Sequence, residues 1–148
     1  MDPIRQSIQQ VLATLPEGSS LAFDDAARET LATQAEQYWQ LLQKWNATIR
    51  LTGAQSDQDF AYRHLADSLY GLCVMGDLPE QPRCLDVGAG AGLPSYPLAM
   101  ALPESQWDLA ESHRRRCSFL QQVRRSLSWM TRIQVKTVRV AGDPNKES

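Results

Sequence analysis

Asp86-Val87-Gly88-Ala89-Gly90-Ala91-Gly92 sets three alternating glycines directly behind a short apolar run, Arg83 to Val87, and nothing else in the chain constrains its fold as strongly. Glycine lacks a Cβ and populates positive φ freely, so this segment predicts a tight turn at which backbone can approach a ligand closely. The apolar run leading into it reads as a buried parallel strand. Pro94 and Pro97 fall where the next helix starts, which is tolerated because first-turn N–H groups have no intrahelical acceptor to lose. That helix closes with Leu98 to Leu102 before Pro103, and Gln106 to Ala110 is predicted as a second strand. Ser112 is placed to cap a further helix facing inward through Phe119, Leu120, Val123 and Leu127, and Ile133 to Val138 alternates as a third strand. Strand, helix, strand, helix, strand predicts a three-stranded parallel sheet with right-handed crossovers over residues 83–140.

The first half has a helical period instead. Asp2-Pro3 supplies a cap and a proline at the first helical position, and Ile4, Ile8, Val11, Leu12 and Leu15 follow at helical spacing. A longer helix carries Leu31, Ala35, Tyr38, Leu42 and Trp45 on one stripe, with Asp24 and Asp25 near its positive end. Ser56 with Asp59 predicts a capped third helix from Asp57 to about Met75, with Phe60, Leu65, Leu69 and Leu72 inward. Gly76 to Pro82 is a turn-rich linker, so the expected division is a helical cap, residues 1–80, and a cofactor-binding part, residues 81–148.

With 43% hydrophobic and 22% charged residues the chain reads as globular. It offers neither a run of the ~20 apolar residues that a membrane helix needs nor a basic, then apolar leader, so a cytoplasmic location is expected. Three cysteines, Cys73, Cys84 and Cys117, and two histidines make no zinc cluster, and the thiols are expected to be reduced and half-buried. Charge is lopsided. Residues 1–110 carry 6 Lys or Arg against 14 Asp or Glu, whereas 111–148 carry 9 against 3. A basic end suggests an anionic partner, with a solvated helix face as the plainer reading.

The glycine turn follows G-x-G-x-G, matching neither the dinucleotide pattern G-x-G-x-x-G nor a phosphate loop ending G-K-[ST]. Glu111 ends the second strand 19 residues after Gly92, close to the ~20-residue offset at which a carboxylate accepts hydrogen bonds from ribose hydroxyls. Alone, such a glutamate reads as a capping or helix-dipole partner. Glycine turn and glutamate together point to an adenosine cofactor without a pyrophosphate, and S-adenosylmethionine fits best.

Several separated motifs carry a resemblance: Leu41-Leu42-Gln43-Lys44-Trp45-Asn46, Leu51-Thr52, Arg63-His64, Asp67-Ser68-Leu69, Asp86 to Pro94, Pro97-Leu98-Ala99, and Glu111-Ser112 with Arg115, Arg116 and Phe119-Leu120. In order and spacing over residues 38–123 the chain resembles the bacterial 16S ribosomal RNA methyltransferase G family, also called glucose-inhibited division protein B. The resemblance implies an α/β fold, an N-terminal helical cap followed by the first half of a class I (Rossmann-like) S-adenosylmethionine-dependent methyltransferase sheet. It also implies S-adenosylmethionine as methyl donor and N7 of a guanine in 16S ribosomal RNA as acceptor. By position, Gly88, Gly90 and Leu93 line the methionine and ribose part of the pocket, Glu111 holds the ribose, and Val140 and Ala141 face the adenine. Arg114, Arg115 and Arg116 are the residues expected to meet small-subunit ribosomal RNA. Asn is usual where Arg50 stands, Gly where Ser95 stands, and an acidic residue where Ala141 stands.

Guanine N7 carries an in-plane lone pair and no proton, so no residue is assigned as a catalytic acid or base. Trp45, Cys84 and Cys117 are expected to pack in the core, and His64 to cap or bridge the third helix. The family fold continues past the third strand. The expectation is therefore of a chain truncated there, which self-associates through the exposed edge of its first strand or is covered there by its own N-terminal helices, with an inactive cofactor-binding or RNA-binding remnant as the alternative to an active methyltransferase.

Overall fold

The computed structural model describes residues 2–15 and 24–138. Its elements in order are α1 (Pro3–Thr14), α2 (Asp25–Asn46), α3 (Asp57–Asp59), a π-helical segment (Phe60–Leu65), α4 (Ala66–Val74), β1 (Arg83–Val87), α5 (Ser95–Ala101), β2 (Gln106–Glu111), α6 (Arg114–Ser126) and β3 (Ile133–Thr137). Val140 and Ala141 lie outside the described residues.

Local chemistry accounts for most boundaries. Asp2 accepts the N–H of Ile4 at 3.2 Å beside Pro3, Asp24 accepts that of Ala27 at 2.8 Å, and Ser56 Oγ accepts that of Asp59 at 3.0 Å. The α3, π-helical and α4 segments run on without a break, as the expected third helix, but its middle is π-helical. There the Ala66 N–H donates to Ala61 O, and wider turns bring positions five apart onto one face, so that Phe60 and Leu65 are both fully buried.

The sheet order is β1-β2-β3, all parallel, with Cys84 opposite Trp107 and Trp107 opposite Ile133. Two like-handed crossovers in one direction put both connecting helices on a single face. That face carries the buried Trp107, Leu109 and Ile133, and α5 and α6 pack on it with α2 behind them. Among the described residues no helix packs on the opposite face, where Ala110 is buried but the β1 side chains are not. Leu85 is 67% exposed and Val87 55%, so β1 is not the buried strand that its composition predicts: it is an edge strand covered on one side.

Three further readings need correction. Ser112 does not cap α6; His113 occupies the N-cap and its N–H goes to Glu111 Oε2 at 2.7 Å, because Ser112 stands one residue too early. The thiols are all free, but Cys73 is exposed and Cys117 buried, leaving only Cys84 half-buried. His64 supplies its backbone carbonyl to Ser68 Oγ at 2.8 Å, while its ring Nε2 is buried without a partner among the described residues and caps nothing. Trp45 is half-buried and packs against the core, edge-on to Phe119 with ring centroids 5.9 Å apart. Among the described residues no helix is long and apolar enough to cross a membrane.

Candidate functional site

After β1 the chain doubles back over the end of β2: the N–H groups of Gly88 and Ala89 both donate to Ala110 O, at 2.8 and 3.2 Å. Gly88, Gly90 and Gly92 all have positive φ, at 75°, 57° and 83°. Their surroundings differ. A Cβ at Gly92 would overlap the Tyr96 ring, so Gly92 is needed to close the turn onto α5. A Cβ at Gly88 would meet nothing within 4 Å, and one at Gly90 only Gly88 O at 3.9 Å. The turn thus presents open backbone at two glycines and is sealed from below at the third, which is the shape of a cradle for a ligand.

The N-terminal helices hold this turn in place. Tyr38, fully buried on α2, donates its hydroxyl to Ala91 O at 2.5 Å, and its ring meets Tyr96 edge-on at 5.8 Å. Tyr96 in turn donates to Leu120 O at 2.6 Å. Burial raises the pKa of both phenols, so both stay protonated donors.

Glu111 is 5% exposed and lies beside the turn. Its Oε1 accepts the N–H of Gly90 at 2.9 Å and its Oε2 that of His113 at 2.7 Å. The capping reading and the ligand reading are therefore not exclusive. A carboxylate has about four lone-pair sites, and two remain for hydroxyls of a bound ribose. Asp86, in the same motif but given no role from sequence, is half-buried at the end of β1. Burial pushes its carboxyl above the ordinary range, the Ser95 hydroxyl partly offsets this, and the Glu111 charge adds to it. Neither Asp86 Oδ2 nor Ser95 Oγ completes a hydrogen bond among the described residues. A buried acceptor without a donor, beside an open glycine cradle, fits a cationic group such as a ligand ammonium. Leu93, expected to line the pocket, is half-buried and packs on the core next to the turn.

A cleft of about 1080 Å³ opens past the carboxyl ends of β2 and β3, where open parallel sheets bind ligands. Thr137 and Val138 line it from β3 onward, Ser112 to Arg116 line it from the start of α6, and Thr48 to Arg50 line it from the loop behind α2. Arg114, Arg115 and Arg116 line this cleft, and Arg50 joins them. Sequence reading noted Arg50 only as a departure, because nothing local shows that the loop behind α2 lies against the first turn of α6.

Residues 31–146 match the family model for rRNA small subunit methyltransferase G. The chain is 44% identical over 100 residues to the ribosomal RNA small subunit methyltransferase G of Wolinella succinogenes, covering 68% of this chain and 48% of that one. It is 38% identical over 103 residues to the protein of the same name from Hahella chejuensis, covering 70% and 45%, and 36% identical over 118 residues to that of a Synechococcus strain, covering 79% and 45%. The chain thus spans about half the length of the curated relatives it matches. A matched stretch that includes the tyrosine-braced glycine turn, Glu111 and the arginines of the cleft places this chain in the rRNA small subunit methyltransferase G family.

Proposed function

We propose that the protein takes part in methyl transfer from S-adenosylmethionine to N7 of a guanine in 16S ribosomal RNA, in the cytoplasm. The observation that carries this is the cradle at Gly88 and Gly90, with the buried Glu111 carboxylate bonded to the Gly90 N–H and the half-buried Asp86 at the end of β1 just before the turn. In this reading Glu111 accepts the ribose hydroxyls, Asp86 the amino-acid ammonium, Gly88, Gly90 and Leu93 border the methionine and ribose, and Val140 and Ala141 face the adenine. Residues 1–80 brace the turn, and residues 81–148 supply the cofactor-side contacts.

When bound, S-adenosylmethionine supplies an electrophilic methyl on a sulfonium. N7 attacks with its in-plane lone pair, so the protein contributes alignment and electrostatics rather than a base. Its residues hold the donor in one orientation, and Arg114, Arg115 and Arg116 hold the phosphates of the RNA that carries the base.

A second reading, cofactor or RNA binding by this 148-residue stretch without turnover, is favoured by the exposed Leu85 and Val87 on an open sheet edge. In that state the chain pairs with a second copy through β1. Calorimetry with S-adenosylhomocysteine, alongside tritiated-methyl transfer to small-subunit RNA, separates the two. Cofactor binding with turnover supports the first, cofactor binding alone supports the second, and absence of cofactor binding removes the first and leaves the second as RNA binding only. A triple Ala variant at Arg114, Arg115 and Arg116 is expected to bind RNA more weakly, with a shallower salt dependence; unchanged binding across the salt range would return these arginines to a solvated face.

A further inference from the structure

The cleft at the sheet's carboxyl end contains more positive charge than an adenosyl cofactor can use. Arg50 faces it from one wall and Arg114, Arg115 and Arg116 from the other, and among the described residues no Asp or Glu lines it. Other arginines of this molecule are spent on the fold. Arg132 donates to Ala99 O at 2.7 Å and Leu102 O at 2.8 Å, closing the end of α5, and Arg124 donates to Met130 O at 2.8 Å. None of the four cleft arginines makes an ion pair among the described residues, where the pairs involve Arg5, Arg63 and Lys136. Three consecutive arginines also sit in the first turn of α6, where the helix dipole disfavours cations; the Glu111 carboxylate at the helix start already accepts the Gly90 and His113 N–H groups. A bound anion at the cleft would relieve the remaining repulsion among the arginines.

Arg50 is held on that wall by its neighbours. The Trp45 ring rests against Phe119, which docks the end of α2 on α6. Asn46 Oδ1 then accepts the N–H groups of Leu51 at 2.8 Å and Thr52 at 3.1 Å, fixing the chain immediately after Arg50. The N–H groups of Thr48 and Ile49 both return to Trp45 O at 3.0 Å, fixing the chain before it.

Guanidinium groups match phosphate oxygens with two parallel N–H donors, whereas S-adenosylmethionine has no phosphate and carries a positive sulfonium. Consecutive residues on a helix point about 100° apart, so Arg114, Arg115 and Arg116 cannot converge on one phosphate. We propose that Arg50 and the Arg114–Arg116 turn grip successive phosphodiesters of one RNA strand across this cleft, with Arg50 supplying a backbone contact from the wall opposite α6. This rests on the ribosomal-RNA reading above.

The test measures fluorescence anisotropy of a labelled oligouridine RNA over about 50 to 200 mM salt, for the parent, Arg50→Asn, Arg50→Lys and the triple Ala variant. Arg28→Asn, on the exposed face of α2, is the control. Loss of one single-strand phosphate contact flattens the slope of log K against log salt by about 0.7. Arg50→Asn is expected to show that change and several-fold weaker binding at the low-salt end, Arg50→Lys to keep the parent slope, and S-adenosylhomocysteine affinity to be unmoved by either. A parent-like slope for Arg50→Asn, while the triple variant loses more, overturns the proposal and leaves the RNA reading standing. If the triple variant also binds as the parent does, the RNA reading falls with it. Weaker S-adenosylhomocysteine binding by Arg50→Asn with RNA binding intact assigns Arg50 to the cofactor and overturns the clamp. Competition by uridine monophosphate at the same phosphate concentration as the strand overturns the multi-phosphate form.

Discussion

Glu111 is held between two backbone amides, and that geometry couples its structural work to its proposed ligand work. Replacement by Gln leaves one acceptor where there were two, and turns the amide nitrogen toward either the Gly90 or the His113 N–H. Glu111→Gln is expected to lower stability by about 1 to 3 kcal/mol and to weaken S-adenosylhomocysteine binding by a similar amount. Urea denaturation and calorimetry on the same preparation check both; parent values in both would remove Glu111 from either role. Asp86 works in the opposite sense. Its carboxyl titrates above the ordinary range, mainly through burial, so over that interval the folded state binds more protons than the unfolded one. Its ionisation therefore costs stability progressively as pH rises from about 4, the unfolded carboxylate range, through the folded value. Asp86→Asn is expected to be more stable than the parent at neutral pH without ligand, to lack that part of the pH dependence, and to bind S-adenosylhomocysteine more weakly. Thermal melts from acid to neutral pH, with and without ligand, would expose the failure of any of these.

Among the elements, α2 matters most to the site although it contributes no cofactor contact. Its Tyr38 hydroxyl reaches the carbonyl of Ala91, and its last turn carries Trp45 onto α6. Ala91 is 8% exposed, so its carbonyl has little water to replace a lost donor. Tyr38→Phe is expected to cost about 1 to 2 kcal/mol in stability and to loosen the turn, raising the S-adenosylhomocysteine dissociation constant with the helix content kept. Circular dichroism with calorimetry tests this, and an unchanged dissociation constant in a destabilised variant would confine Tyr38 to packing. The π-helical segment plays a comparable part. It presents Phe60 to Trp39, with rings stacked at 4.7 Å, and thereby anchors the start of α3 to α2, where Trp39 Nε1 also donates to Asp57 at 2.7 Å.

In the molecule as a whole, one core runs from Ile4 in α1 to Ile133 in β3, yet it stops at one face of the sheet. On the other face Leu85 and Val87 stand exposed on a strand whose outer backbone edge has no strand beside it among the described residues. An apolar open edge templates pairing, and lysines on such a strand suppress it. The 148-residue chain is expected to run as a dimer or larger species in size-exclusion light scattering, and the double variant Leu85→Lys, Val87→Lys as a monomer with its helix content intact. A monomeric parent at the same concentration would show that the β1 edge does not self-pair.

The local part of this architecture was legible in the residues themselves. Apolar spacing located the helices, Asp2, Asp24 and Ser56 marked their starts, and alternating glycines behind an apolar run announced a positive-φ turn. These follow from backbone sterics and capping, which act over a few residues. The three-stranded parallel sheet expected over this stretch is also the observed one, since alternating strands and helices with short connections leave few alternatives. Contacts across long stretches of chain were not legible. Tyr38 on Ala91, Arg50 opposite Arg114, Arg132 closing α5 and Glu111 accepting the Gly90 N–H all depend on which surfaces meet when the elements dock. Leu85 and Val87 show the limit most clearly. Their types announce a buried strand, but burial is a property of what lies next to a strand, and only the packed structure decides which face is covered.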